Sequence, residues 1–121
     1  MTGRLRGKIT LVTGGGAGIG AATAKRFAEE GALVVVTDIK GETADRVAAE
    51  INAGGGQAES RVQDVTDEAL WDSVVDDIVA RHGALHVLVN NAGIAVPGSV
   101  EAVSYTHLTL PTNIIRCRGG G

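Results

Sequence analysis

A doubly wound α/β fold on a parallel sheet is what the sequence predicts, and three observations predict it. Short runs rich in β-branched residues recur at residues 8–13, Leu33–Asp38, Gln57–Val62 and residues 85–90. Stretches of about 10–15 residues with apolar positions at helical spacing separate them. A glycine cluster, Gly14 to Gly20, joins the first run to the first helical stretch. Strands alternating with helices through short connections imply right-handed crossovers and parallel pairing. The order is β-α-β-α-β-α-β, the first half only of such a fold, with an expected strand order of 3-2-1-4.

Each element has its own signal. Residues 8–13 are β-branched and end in glycine, as a buried strand does. Residues 21–30 are good helix formers, with Ile19, Thr23 and Phe27 spaced to share a face and Gly31 where a helix C′ residue belongs. Leu33–Asp38 is apolar almost throughout, as a parallel strand covered on both faces should be. Ala44, Val47, Ala48 and Ile51 then fall at i, i+3, i+4 and i+7, with Glu42, Asp45, Arg46 and Glu50 outside. Gly54, Gly55 and Gly56 end that helix. Gln57–Val62 is a weaker strand. Thr66 is the expected N-cap of a third helix over residues 67–82, in which Trp71, Val74, Val75 and Ile78 repeat the helical spacing. Residues 85–90 form the fourth strand, whose outer edge is expected to stand unpaired.

Composition narrows the function. The net charge is −3 with no basic stripe, which argues against nucleic acid, since phosphate neutralisation needs clustered Lys and Arg. Aromatic residues make up 2%, so base-stacking platforms are equally unexpected. The single cysteine, Cys117, supports neither a disulfide framework nor a thiolate metal site, and no metal site is expected. No apolar run approaches the roughly 20 residues that span a bilayer. The opening residues lack the apolar stretch of a signal peptide. The expected location is the cytoplasm, with no membrane partner.

Residues 14–20 carry the chemistry. A pyrophosphate must approach backbone N–H groups at a helix N-terminus, where the dipole favours negative charge. Side chains there block the approach, and a tight turn can require positive φ, so glycine answers both demands. The spacing is Gly-x-x-x-Gly-x-Gly at Gly14, Gly18 and Gly20, and Asp38 ends the next strand 18 positions after Gly20. A carboxylate there can accept hydrogen bonds from a ribose 2′-OH and repel a 2′-phosphate. No Gly-Lys-Ser/Thr closes the loop, which excludes a nucleoside-triphosphate P-loop.

Thr13, Gly14, Gly18, Ile19 and Gly20, taken with Asn90-Asn91-Ala92-Gly93 at the end of the fourth strand, resemble the short-chain dehydrogenase/reductase family. The likeness runs from about residue 6 to residue 98, roughly the first two-fifths of a full member. The resemblance implies a Rossmann-like, NAD(P)-binding domain in which Gly14, Gly18, Ile19 and Gly20 cradle the pyrophosphate and Asp38 binds the adenosine ribose. It places Asp64 and Val65 at the adenine edge; an acid near a helix start, favoured by the dipole, is the other reading of Asp64. Ala92 and Gly93 would lie against the riboses. Asn90 would brace the centre of the sheet, and Asn91 reads as a turn residue. The loop residues Gly15, Gly16 and Ala17 carry no base, and strand two ends in an acid, so NAD is expected in preference to NADP, with Lys40 nearby as the opposing feature.

Members of the family move hydride between the nicotinamide and an alcohol or ketone, with a Tyr, a Lys four positions later, a Ser and an Asn as acid–base machinery. None of the four can be assigned here. Tyr105 is the only tyrosine, and Thr109 stands four positions on; Ser104 and Asn113 lie in the same stretch. Ser60 and Ser73 read as structural, and His82 and His86 as capping or surface residues at a turn.

That stretch breaks the pattern. Residues 103–112 have neither a helical nor a strand period, and they resemble the translation of a transposase-derived sequencing adapter. Residues 113–118 would then be index and flanking adapter, and Gly119, Gly120 and Gly121 a run of G bases. The expected organisation is the N-terminal part of a dinucleotide-binding domain over residues 1–102 and a non-native tail over 103–121. The expected function is that of an oxidoreductase present as its cofactor-binding half and inactive as it stands, acting in its complete, oligomeric form on a small-molecule alcohol or ketone. The alternatives are a non-catalytic dinucleotide-binding sensor or scaffold and, if residues 103–121 are genuine, a small structural protein.

Overall fold

The computed structural model describes residues 4–64 and 66–91, and the backbone of 102–106 and 113–117. The elements are β1 (Ile9–Thr13), α1 (Gly18–Glu29), β2 (Leu33–Asp38), α2 (Gly41–Ala53), β3 (Gln57–Val62), α3 (Glu68–His82), β4 (Val87–Asn90), β5 (Ala102–Thr106) and β6 (Asn113–Cys117). The sheet order is β3-β2-β1-β4-β6-β5. The first four strands are parallel and stand in the expected 3-2-1-4 order, with Leu11 opposite both Val35 and Leu88.

The expected open edge on β4 is not there. β6 pairs with it antiparallel, and β5 pairs antiparallel with β6, although residues 103–112 show no strand period. The reason lies in the backbone: an edge strand presents a row of N–H and C=O groups that a neighbouring extended segment can satisfy whatever its side chains.

Period-two alternation sends successive residues of the first strands to opposite faces. Leu11, Val35 and Leu88 meet Trp71, Val74 and Ile78 of α3 on one face. Val12, Val34, Val36 and Val89 meet Ala24 of α1 and Ala44, Val47 and Ile51 of α2 on the other. Val34, Val35 and Val36 are all fully buried, which is why β2 shows no polar alternation. Burying each such aliphatic side chain stabilises the fold by about 1.5–3 kcal/mol.

Helix ends follow their capping chemistry. Gly31, Gly55 and Gly83, just after α1, α2 and α3, have φ of 96°, 94° and 87°, which L side chains rarely adopt. Two expectations shift. The N-cap of α3 is Asp67 rather than Thr66: its Oδ1 accepts from the N–H groups of Ala69 (3.0 Å) and Leu70 (3.3 Å). The inward face of α1 carries Gly20 and Ala24, while Ile19 is 45% exposed and Thr23 donates its hydroxyl to the Ile19 carbonyl. Gly20 lies so close to the Gly14 carbonyl that no Cβ fits there, while one turn past Ala24 the partly buried Phe27 packs against the same cluster.

Candidate dinucleotide site

β1, β2 and β4 end side by side at the carboxyl edge of the sheet. The chain leaves β1 in one direction towards β2 and later returns on its other side as β4, so β1 marks the switch point where open α/β sheets form a crevice. Residues 14–17 leave β1 there and enter α1.

The loop backbone needs its glycines. Gly14 and Gly18 have φ of 61° and 57°. A methyl on Gly20 would overlap the Gly14 carbonyl oxygen and lie 2.6 Å from Asn91 Nδ2, and one on Gly15 would lie 2.7 Å from Val36 Cγ1. Four glycines are thus fixed by conformation or by contact, and the loop presents backbone to the crevice. α1 begins at Gly18 with no side chain capping it and no acid in its first turn. Its first N–H groups and the positive end of its dipole therefore face no capping side chain and no acid of the first turn.

Two asparagines hold the loop from β4. The buried Asn90 accepts the Thr13 hydroxyl at Oδ1 (3.2 Å), bracing β1 against β4. Asn91, expected as a simple turn residue, donates Nδ2 to the Gly14 carbonyl at 3.1 Å. An Asn immediately after a strand that pairs with β1 was the available signal; the 77-residue separation hid it from local reading.

Asp38 stands at the other wall. Its Oδ2 accepts from the Gly16 N–H at 3.0 Å and its Oδ1 from the Lys40 N–H at 3.2 Å. Both oxygens retain lone pairs for further donors. Asp64 lies just beyond β3, where the Thr66 hydroxyl (2.6 Å) and then the Thr66 N–H (3.0 Å) donate to its Oδ1 and hold its carboxyl below the ordinary range. Val65, Ala92 and Gly93 fall outside the described residues, as do the side chains of Ser104, Tyr105 and Asn113.

The remaining candidates have structural partners. Ser60 donates to Asp45, His82 contacts Glu59 Oε2 at 2.9 Å, and His86 Nδ1 accepts the Ile9 N–H at 2.9 Å. A cleft of about 460 Å³ lies at the opposite end of α1 and α2, between Lys25, Glu50 and Gly54–Gly56, and shares no residue with the loop. Among the described residues no group of three or more His, Cys, Asp or Glu is placed to hold a metal, and no helix is long and apolar enough to cross a membrane.

A parallel 3-2-1-4 sheet with a glycine loop entering a helix at its switch point defines a Rossmann-like α/β domain. The chain belongs to the short chain dehydrogenase family, whose model matches residues 8–110. It is 51% identical over 104 residues to the 2,5-dichloro-2,5-cyclohexadiene-1,4-diol dehydrogenase LinX of Sphingobium indicum, across 86% of this chain and 42% of that protein. It is 45% identical over 106 residues to a 3-alpha-(or 20-beta)-hydroxysteroid dehydrogenase of Mycobacterium tuberculosis, across 88% of this chain and 40% of that one. A solved metagenomic short-chain oxidoreductase in complex with NADP aligns with a TM-score of 0.72 at 41% identity, across 74% of this chain and 41% of its own. The chain therefore spans about two-fifths of the length of these relatives.

Proposed function

We propose that this chain is the cofactor-binding half of an NAD(H)-dependent oxidoreductase that interconverts a small-molecule alcohol and a ketone, working in the cytoplasm as a homo-oligomer in its complete form. The observation that carries the cofactor reading is the cradle itself. Glycines whose replacement would bring backbone strain or a clash lead into an uncapped helix N-terminus, and Asp38 stands at the adjoining strand end.

In this reading Gly14, Gly18, Ile19 and Gly20 hold the pyrophosphate, through N–H groups and the α1 dipole. Asp38 accepts from the adenosine ribose, Asp64 and Val65 meet the adenine, and Ala92 and Gly93 line the riboses, with Asn90 bracing the strands beneath. The nicotinamide, once bound, gives or takes the hydride. Asp38 also favours NAD over NADP, because a fixed carboxylate repels a 2′-phosphate and no basic side chain stands in residues 14–20 to attract one.

The 121 residues offer no Tyr-x-x-x-Lys for proton transfer, so no turnover is expected from the chain alone. We also infer that the natural sequence departs from this one after Ala102. Resequencing the source gene across that codon tests the inference. A frame continuing into Ser and then Tyr-x-x-x-Lys supports it; a genomic stop after Gly121 defeats both it and the oxidoreductase assignment. For the cofactor, calorimetric titration with NAD⁺ and NADP⁺ decides. Tighter binding of NAD⁺, lost in Asp38→Ala, is the expected result, and no binding of either dinucleotide overturns the reading.

A further inference from the structure

The wall that carries Asp38 contains a residue that neither the loop pattern nor the strand-end acid accounts for. Gly16 lies directly on Thr43, in the first turn of α2. A methyl on Gly16 would overlap Thr43 Oγ1, would sit 2.7 Å from Thr43 Cβ and 2.9 Å from Asp38 Oδ2. Thr43 has little room to yield. It is β-branched, with few rotamers in a helix, and its hydroxyl donates to the Lys40 carbonyl at 2.9 Å.

A ring of contacts closes from there. Thr43 seats Gly16, whose N–H reaches Asp38 Oδ2 (3.0 Å); Lys40, tied to Thr43 through its carbonyl, sends its own N–H to Asp38 Oδ1 (3.2 Å). The carboxylate is clamped on both oxygens by main-chain donors, and this fixes its plane before any ligand arrives. A carboxylate with one acceptor position used on each oxygen keeps one on each for a vicinal diol. It also cannot swing aside to admit a phosphate.

We propose that Thr43 is a positioning residue for recognition of the cofactor's adenosine ribose: by seating Gly16 it holds the Asp38 carboxylate ready for an unphosphorylated 2′-hydroxyl, and so sets the preference for NAD over NADP. The proposal rests on the dinucleotide reading above and extends it to a residue that does not itself touch the ligand. Removing Thr43 lets the loop settle towards α2, frees the carboxylate to rotate, and allows the exposed Lys40 to meet a 2′-phosphate.

The test is calorimetric titration of the full chain and its Thr43→Ala and Thr43→Val variants with NAD⁺, 2′-deoxy-NAD⁺ and NADP⁺. Thr43→Ala is expected to weaken NAD⁺ about tenfold, the scale of one well-placed hydrogen bond to a charged group. Its affinity for 2′-deoxy-NAD⁺ should stay within about twofold, and its NAD⁺/NADP⁺ ratio should fall about tenfold, on the same scale. Thr43→Val keeps the branched seat and should retain most of the ratio. A Thr43→Ala variant that keeps the wild-type ratio, or weakens all three ligands alike, overturns the role of Thr43 while leaving the dinucleotide reading intact. A wild-type chain that binds none of the three overturns both.

Discussion

Asn91 donates its side-chain amide to the main-chain carbonyl of Gly14 at 3.1 Å, tying the end of β4 to the first residue of the glycine loop across 77 positions of sequence. The bond holds the entrance to the loop at a point where Gly14 already sits in the left-handed region. Losing it leaves a partly buried carbonyl short of a donor. Asn91→Ala is expected to cost about 1 kcal/mol in urea unfolding. Asn91→Asp should cost more, because it sets a negatively charged acceptor against an acceptor. Equal stability of the wild type and both variants would show that the amide does not hold the loop.

Gly20 faces the same carbonyl from α1. Alanine is ordinarily the better helix residue, yet here its methyl would run into the Gly14 oxygen and the Asn91 amide. Both are anchored, so α1 must move off the sheet. Gly20→Ala should destabilise by about 1–3 kcal/mol, the range for overpacking, and should weaken NAD⁺ binding alongside. A variant as stable as the wild type would mean that α1 is free to shift.

Gln63 directly follows β3, 2% exposed and with neither side-chain amide atom hydrogen-bonded; the fully buried Thr37 hydroxyl of β2 also lacks a partner. An unpaired buried amide costs more than an apolar group of equal volume. Gln63→Met should therefore raise the unfolding free energy by about 1 kcal/mol. A loss of stability on that substitution would show that the amide is satisfied in solution.

His86 reports on pH. Its Nδ1 accepts the Ile9 N–H at 2.9 Å, so the neutral ring holds the start of β1, and its main-chain N–H donates to the Ile9 carbonyl alongside. Burial, with the Lys8 charge adding to it, pushes the His86 pKa below its ordinary 6.5. With the folded value depressed, the unfolded chain takes up the proton first as pH falls. Stability from this contact is complete above pH 6.5 and is lost as pH drops from there through the folded value. The urea midpoint should fall between pH 7.5 and 5.5, and His86→Leu, less stable overall, should flatten that interval. An unchanged slope in the variant would assign the pH effect to other groups.

Much of this protein was legible in the sequence, for physical reasons that differ between elements. Val34, Val35 and Val36 announced a doubly covered strand because apolar runs of that length have nowhere else to go. Gly31 and the run Gly54–Gly56 announced helix ends, because the left-handed turn found at Gly31 and Gly55 needs no Cβ. Strands alternating with helices dictated parallel pairing, and the glycines between β1 and α1 dictated a loop of bare backbone leading into a helix. Each of these properties is set by residues close together in the chain.

What only the tertiary structure decided are the contacts between segments far apart. That Gly16 rests on Thr43, that Asn91 holds Gly14, and that Ile19 turns outward while Gly20 and Ala24 face the sheet depend on how closely α1, α2 and β4 approach β1. The pairing of β6 with β4 belongs here too, since a backbone edge accepts a partner without consulting its side chains. Local propensity fixes the elements; the distances between them come from packing the whole set at once, and the alignment of Asp38 is made by those distances.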